Sequence, residues 1–274
     1  MIGSLVYQDY LKLIKKKYIS NSNFEKTQIQ PSSIDLSLSE ECYEIKHSFL
    51  SSNSKVRNRL ENLIVKKIDL KKEFIFKKNK TYIVRLNEKL NLKNNIFGHC
   101  NPKSSTGRLD IFCRSIVDYA GEYEKIPKNY KGEVFLEITS RSFNISFKKG
   151  NCLNQLRLIN KKHNYLSDKQ LERYRRNDKK FNISKNKIDN GIKLAVDLSG
   201  LKINAYVAKK NAPVLKFSNI KSHKINDFWK PIKTKNKTLL IEKNKFYILK
   251  SKEKVIIPSN MAGEMTPYDT GIGD

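Results

Sequence analysis

From residue 73 onward, apolar and polar residues alternate in short runs with turn residues between them. Residues 73–76, 81–86, 96–100, 109–117, 133–139, 143–147 and 153–159 all follow this pattern. Closely spaced short strands predict an all-β sandwich or barrel. Upstream, Val6, Tyr10, Leu13 and Ile14 recur at helical spacing, with Ser4 placed to cap the helix and Lys15, Lys16 and Lys17 suited to its C-terminus. Pro31 disfavours helix at Gln30 and introduces a strand in which Ile34, Leu36 and Leu38 alternate with Ser33, Asp35 and Ser37. Residues 50–71 are polar and charged, which predicts a surface loop or short helix. After Ile159 the character changes: residues 164–190 read as a charged helix and linker, and 192–198 and 201–207 read as strands again.

An internal repeat organises the rest. Lys78-Asn-Lys-Thr-Tyr-Ile-Val84 aligns with Lys243-Asn-Lys-Phe-Tyr-Ile-Leu249, an offset of 165 residues (Asn244 minus Asn79). The same register, without gaps, sets Glu88-Lys89 against Glu253-Lys254, Gly98 against Gly263 and Pro102 against Pro267. The chain therefore starts a second copy of the β-fold. That copy stops at Asp274, where the first has only reached Leu109, so it lacks an equivalent of 133–139 and is expected to be truncated. The expected organisation is a β-barrel with an N-terminal helix over 1–160, a charged helical linker over 161–200 and a partial second repeat over 201–274.

Composition adds limits. No run approaches the ~18 apolar residues of a membrane span, and the N-terminus lacks the apolar stretch of a signal peptide, so a cytoplasmic protein with no membrane partner is expected. Cys42, Cys100, Cys113 and Cys152 show no C-x-x-C spacing and are expected to be reduced and idle. The zinc deaminases use H-x-E and P-C-x-x-C elements, and neither occurs here. His99-Cys100 is half a metal site at most. The charge of +28, from 55 Lys+Arg against 27 Asp+Glu, attracts any polyanion, nucleic acid or nucleoside triphosphate alike. The lysines are dispersed rather than gathered in a stripe, which argues against a specific nucleic-acid partner.

The densest chemistry lies in Asn101-Pro-Lys-Ser-Ser-Thr-Gly-Arg-Leu-Asp110. Lys103, Ser104, Ser105, Thr106 and Arg108 offer cations and donors suited to a polyphosphate, and Gly107 permits a tight turn. Taken alone, a polar surface turn is the better account of it. Around it stand Gln30-Pro-Ser-Ser-Ile-Asp-Leu-Ser-Leu38, Tyr130-Lys-Gly-Glu-Val-Phe-Leu-Glu-Ile138 and Asn151-Cys-Leu-Asn-Gln-Leu-Arg157. These four segments, in this order, resemble the dCTP deaminase branch of the trimeric dUTPase superfamily over residues 1–158, in a long duplicated form with an incomplete second repeat.

The resemblance implies a distorted jelly-roll-like β-barrel and a homo-oligomer in a trimer-like arrangement, with sites formed between subunits. It also implies deamination of dCTP to dUTP and ammonia, which supplies dUTP for dUMP and thymidylate synthesis. Glu137 would be the catalytic carboxylate; on residues alone, an exposed strand glutamate is the better account, and it is the match of Leu136-Glu137 to the family's catalytic motif that reverses this. Lys103, Ser104, Ser105, Arg108 and Gln155 would bind the triphosphate. Asp35 would lie near the triphosphate and its Mg2+, which comes with the nucleotide, and no zinc or directly bound metal is expected. Asp118 and Tyr119 are candidates for base or sugar contact, although the loop over 117–127 is longer than the family's and carries Pro127 where the short deaminases have an aspartate. Two alternatives stay open: a dUTP diphosphatase or bifunctional enzyme, with Asp118 activating water, and a non-catalytic basic protein that binds nucleotide or nucleic acid.

Overall fold

The structure is a computed structural model that describes residues 3–21, 24–160, 165–177, 187–200, 203–258 and 261–265. In chain order it runs β1 (Gly3–Ser4), α1 (Tyr7–Lys15), β2 (Ile19–Ser20), β3 (Ile34–Ile45), α2 (Val56–Leu60), β4 (Ile64–Asp69), β5 (Phe74–Phe76) and β6 (Thr81–Asn91). Then come β7 (Phe97–Pro102), α3 (Ser104–Gly107), β8 (Ile111–Val117), β9 (Lys125–Ile126), β10 (Lys131–Ser140), β11 (Ile145–Phe147) and β12 (Cys152–Asn160). The C-terminal part holds α4 (Asp168–Asn177), β13 (Ala205–Ala208), β14 (Leu215–Lys216), α5 (Ile225–Phe228), β15 (Trp229–Ile232) and β16 (Tyr247–Leu249). The described chain forms two compact units, one of residues 1–163, 206–230 and 241–248 and the other of 164–205, 231–240 and 249–274.

The first unit is a ten-stranded antiparallel sheet in the order β8-β10-β6-β3-β12-β7-β9, with β1 on β12, β2 on β6 and β4 on β3. Alternation along β10 sorts its side chains as the sequence pattern predicts. Val134, Leu136 and Ile138 enter the main core, which also holds Leu36, Leu38, Val84, Cys100, Cys113 and Leu156. Phe135 points the other way, into a second cluster with Ile83 and Ile116 that α2 covers through Val56 and Leu60. The two ends of the sheet are brought together at Glu124: its N–H donates to Ser115 O on β8, and its carbonyl accepts from Cys100 N on β7. That link nearly closes the sheet into a barrel, as expected.

The same unit takes in later chain. β14 pairs in parallel with β11, which pairs with β5, and Phe228 and Trp229 meet Phe143 edge-on at 5.6 and 5.4 Å. In the other unit, α4 buries Leu171 against Tyr174, Ile188, Ile192 and Val255.

The repeat is visible in the pairing. β15, β13 and β16 form a sheet in that order, and subtracting 165 from 229–232, 205–208 and 247–249 gives 64–67, 40–43 and 82–84. Those are segments of β4, β3 and β6, which pair in the same order. Asn79 and Asn244 even share the left-handed turn before the third strand, with φ of 63° and 59°. Pro267 and Asp269 to Gly273 lie outside the described residues, as do 178–186 and Leu201.

Several expectations need correction. Ser4 does not cap α1; it pairs with Ile159 in β1, and the side chain of Asp9 accepts the N–H of Val6 at the helix start. Residues 50–71 hold the expected short helix, α2, but it covers the second core, and they also hold a strand that was not expected, β4, which pairs with β3. β4 was hidden because Lys66 and Lys67 face solvent, as suits an edge strand. Residues 192–198 form no strand, only single bridges from Ile192 to Ile188 and from Val196 to Ser251.

Candidate active site

β10 and β8 run antiparallel with Glu137 directly across from Arg114. Because both side chains leave the outer face of the pair, the carboxylate meets the guanidinium rather than the core. Nε and one terminal nitrogen of Arg114 donate to the same oxygen, Oε1, at 3.0 and 2.5 Å. Oε2 of Glu137 is buried and has no hydrogen-bond partner. The guanidinium is held from two further sides: it donates to Ser48 Oγ at 3.1 Å and lies 4.0 Å from the centre of the Tyr123 ring. Tyr123 is itself anchored by donating to the Phe49 carbonyl. The result is a buried carboxylate with one oxygen fixed and one offered.

The second group lies at the end of β7. Cross-strand register places Asp35 opposite Gln155 and Gln155 opposite Asn101. Lys103 reaches Asp35 in a close ion pair, and Ser33 Oγ donates to Gln155 Oε1 at 2.9 Å. Beyond Lys103 the chain makes the short turn α3, pinned by Thr106 Oγ1 donating to the Leu153 carbonyl at 2.8 Å. Burying Thr106 leaves Ser104, Ser105 and Arg108 exposed on the turn. A cation and two hydroxyls on a fixed turn, next to Lys103, suit an anionic ligand. Asp35 is the carboxylate at this turn, and Lys103 already balances its charge. A deeply buried carboxylate, Glu88, supports the strand beneath by accepting from Ser37 N and Oγ, Gln28 and Asn21.

The structure thus gathers Asp35, Lys103 and Gln155 with the Ser104 to Arg108 turn, and separately pairs Glu137 with Arg114. Asp118 belongs to neither group: its Oδ1 accepts from Val56 N at 2.8 Å and so caps α2. It lies just past the end of β8, four residues from Arg114. Tyr119 is exposed, in a left-handed turn with φ of 58°. Among the described residues, no group of three or more His, Cys, Asp and Glu side chains is placed to hold a metal ion. Cys42, Cys100 and Cys113 are buried thiols and Cys152 is half-buried; none is in a disulfide.

Two participants escaped the sequence. Arg114 lies outside every motif quoted above, and its only signal was being the one charged residue of a mostly apolar strand. Glu124, in the long loop, is half-buried where the barrel closes, and that burial pushes its carboxyl up to about 7 although Ser115 and Asn154 donate to it.

Similarity to known proteins covers both parts of the chain. Residues 1–162 match the N-terminal domain of 2'-deoxycytidine 5'-triphosphate deaminase, and residues 167–274 match the C-terminal domain of the same family. The crystal structure of 2'-deoxycytidine 5'-triphosphate deaminase from Agrobacterium tumefaciens is similar over 99% of this chain and 80% of its own, with 32% identity and a TM-score of 0.93. The native EIAV dUTPase is similar over 36% of this chain and 78% of its own, with 20% identity and a TM-score of 0.28, too low to bear on the fold. No curated protein matches the chain. With both domain matches in order and the fold shared almost end to end, the chain belongs to the 2'-deoxycytidine 5'-triphosphate deaminase family.

Proposed function

We propose that the protein hydrolyses the 4-amino group of dCTP to give dUTP and ammonia. The observation that carries this reading is Glu137, buried in a strand with Oε1 fixed by Arg114 and Oε2 free. Hydrolysis at C4 needs a group that takes a proton from water and returns it to the leaving amine. Oε2 serves as that group. The water oxygen bonds to C4 while one of its protons passes to Glu137; that proton then goes to the amine, the C4–N bond breaks and ammonia leaves. The water's second proton ends on N3, and C4 becomes the carbonyl of uracil.

Ser104, Ser105, Arg108 and Lys103 bind the triphosphate, with Gln155 behind them. A magnesium ion carried by the phosphates suits a site with a single nearby carboxylate. Asp35 is that carboxylate, and the ion would neutralise phosphate charge. Because the phosphate turn and Glu137 fall in two groups within one chain, a neighbouring subunit in a trimer-like assembly supplies the complement of each site. The dUTP diphosphatase reading gains nothing here, since Asp118 is engaged as a helix cap.

Purified protein incubated with dCTP, dUTP or CTP and magnesium tests the reading when dUTP, dUMP and pyrophosphate are separated. Ammonia and dUTP from dCTP are expected, and Glu137→Gln, which keeps the shape and removes the base, should lower turnover by about 10²-fold or more with nucleotide binding kept. Pyrophosphate and dUMP from dUTP would establish the diphosphatase activity, and undiminished ammonia release by the variant would remove Glu137 from the mechanism.

A further inference from the structure

An arginine facing a carboxylate ordinarily takes one oxygen with each arm of its fork. Arg114 does not. Both its donors converge on Oε1 of Glu137, and Oε2 stays buried and unpartnered. A buried carboxylate oxygen left without a partner costs free energy, so an arrangement that satisfies one oxygen twice and the other not at all serves something other than stability. The guanidinium cannot simply slide to cover both oxygens, because Ser48 holds one nitrogen and the Tyr123 ring stacks on its face at 4.0 Å. Tyr123 in turn stands on the loop between β8 and β9 and is tied to Phe49.

We propose that Arg114 is the positioning residue of Glu137, directing Oε2 alone towards the reacting atoms and coupling that orientation to the placement of the loop over 118–124 through Tyr123. The inference rests on the deaminase reading above and deepens it. It has a mechanistic corollary. With Oε1 occupied, the water's proton and the amine's proton both travel through Oε2, so attack and departure occur on the same side of the carboxylate.

The test uses the full-length chain with Arg114→Gln, Arg114→Lys and Tyr123→Leu, beside wild type and Glu137→Gln. Turnover and KM for dCTP are measured, with nucleotide affinity and thermal unfolding recorded for each. Arg114→Gln is expected to lower kcat by about 10²-fold with little change in KM, as a misplaced catalytic group does. Arg114→Lys should restore part of kcat, and Tyr123→Leu should lower kcat less than Arg114→Gln does. An Arg114→Gln enzyme with unchanged kcat would overturn the inference. So would a loss of rate matched by equal losses of nucleotide affinity and thermal stability and not relieved in Arg114→Lys, since that marks a purely structural role. Wild-type protein that releases no ammonia, by contrast, would fail the deaminase reading itself, whatever Arg114 does.

Discussion

At the scale of single residues, charge and burial decide which side chains do chemistry and which hold the frame. Arg108 is exposed on the Ser104 to Arg108 turn, so on the proposed reading its loss should be felt by an anionic ligand and not by a neutral one. Arg108→Ala is expected to weaken dCTP roughly 10- to 100-fold, the worth of one or two charge-assisted hydrogen bonds, and to leave deoxycytidine nearly unchanged. Calorimetric titration with both ligands checks this; equal losses would show that Arg108 supports the fold instead. Glu124 is a different case, because burial outweighs its donors and raises its carboxyl from 4.5 to about 7. Between those two values the folded chain holds a proton that the unfolded chain has released. The stability associated with this group is therefore complete below about 4.5 and declines as pH rises to about 7, by roughly 3 kcal/mol. Glu88 and Asp110 are raised by burial too, so the wild-type curve alone does not isolate Glu124. Urea unfolding of wild type and Glu124→Gln at pH 5 and pH 8 does: the variant should lose less stability over that interval, and parallel losses would contradict the assignment.

Strands and helices show how far the sequence could be read. β6, β8, β10 and β12 announced themselves because each alternates over a buried face, and the main core follows that alternation residue by residue. β3 was also anticipated, although its polar face is not a surface: Asp35 and Ser37 are buried too, bonded to Lys103 and Glu88. Such burial depends on partners 51 to 68 residues away, which a local pattern does not contain. The Ser104 to Arg108 turn was legible as a run of donors, and Glu137 as one carboxylate among several. The Arg114 pairing was not, because it exists only through the register of β8 on β10. The same limit concealed the role of α5, four residues with little helical signal of their own. Phe228 at its end is almost fully buried and meets Phe143 edge-on within the first unit. Phe228→Ala should destabilise that unit by about 3 to 5 kcal/mol, the range for removing a buried aromatic ring. Denaturant unfolding followed by tryptophan fluorescence is apt, since Trp229 meets the same Phe143 edge-on; a change below about 1 kcal/mol would mean that α5 is dispensable to the core.

The whole molecule is a duplicated design in which the two copies carry unequal burdens. Every side chain placed at the candidate site falls between Ser33 and Gln155, in the first copy. The second copy repeats the β4-β3-β6 pairing as β15-β13-β16, so its start is a fold element rather than a tail. Yet part of it belongs physically to the first unit. β14 covers the edge of β11, and Leu215 and Phe228 are members of the main core. Cutting the chain after residue 163 would uncover that strand edge and leave Phe143 and Phe147 without Phe228, Trp229 and Phe217. Exposed edges and aromatic rings of this kind favour association in place of folding. The charge of +28 does not depend on this packing, so any affinity for nucleic acid should fall with the lysines removed and vanish as salt rises, whether or not the fold survives. A fragment of residues 1–163 is therefore expected to unfold at lower urea than the full chain, or to aggregate, with ammonia release falling in step although no candidate catalytic group has been removed. Sedimentation and urea unfolding of fragment and full chain, read beside the dCTP assay, decide the point. A fragment that assembles, unfolds and deaminates like the full chain would show that the second copy contributes nothing to the first.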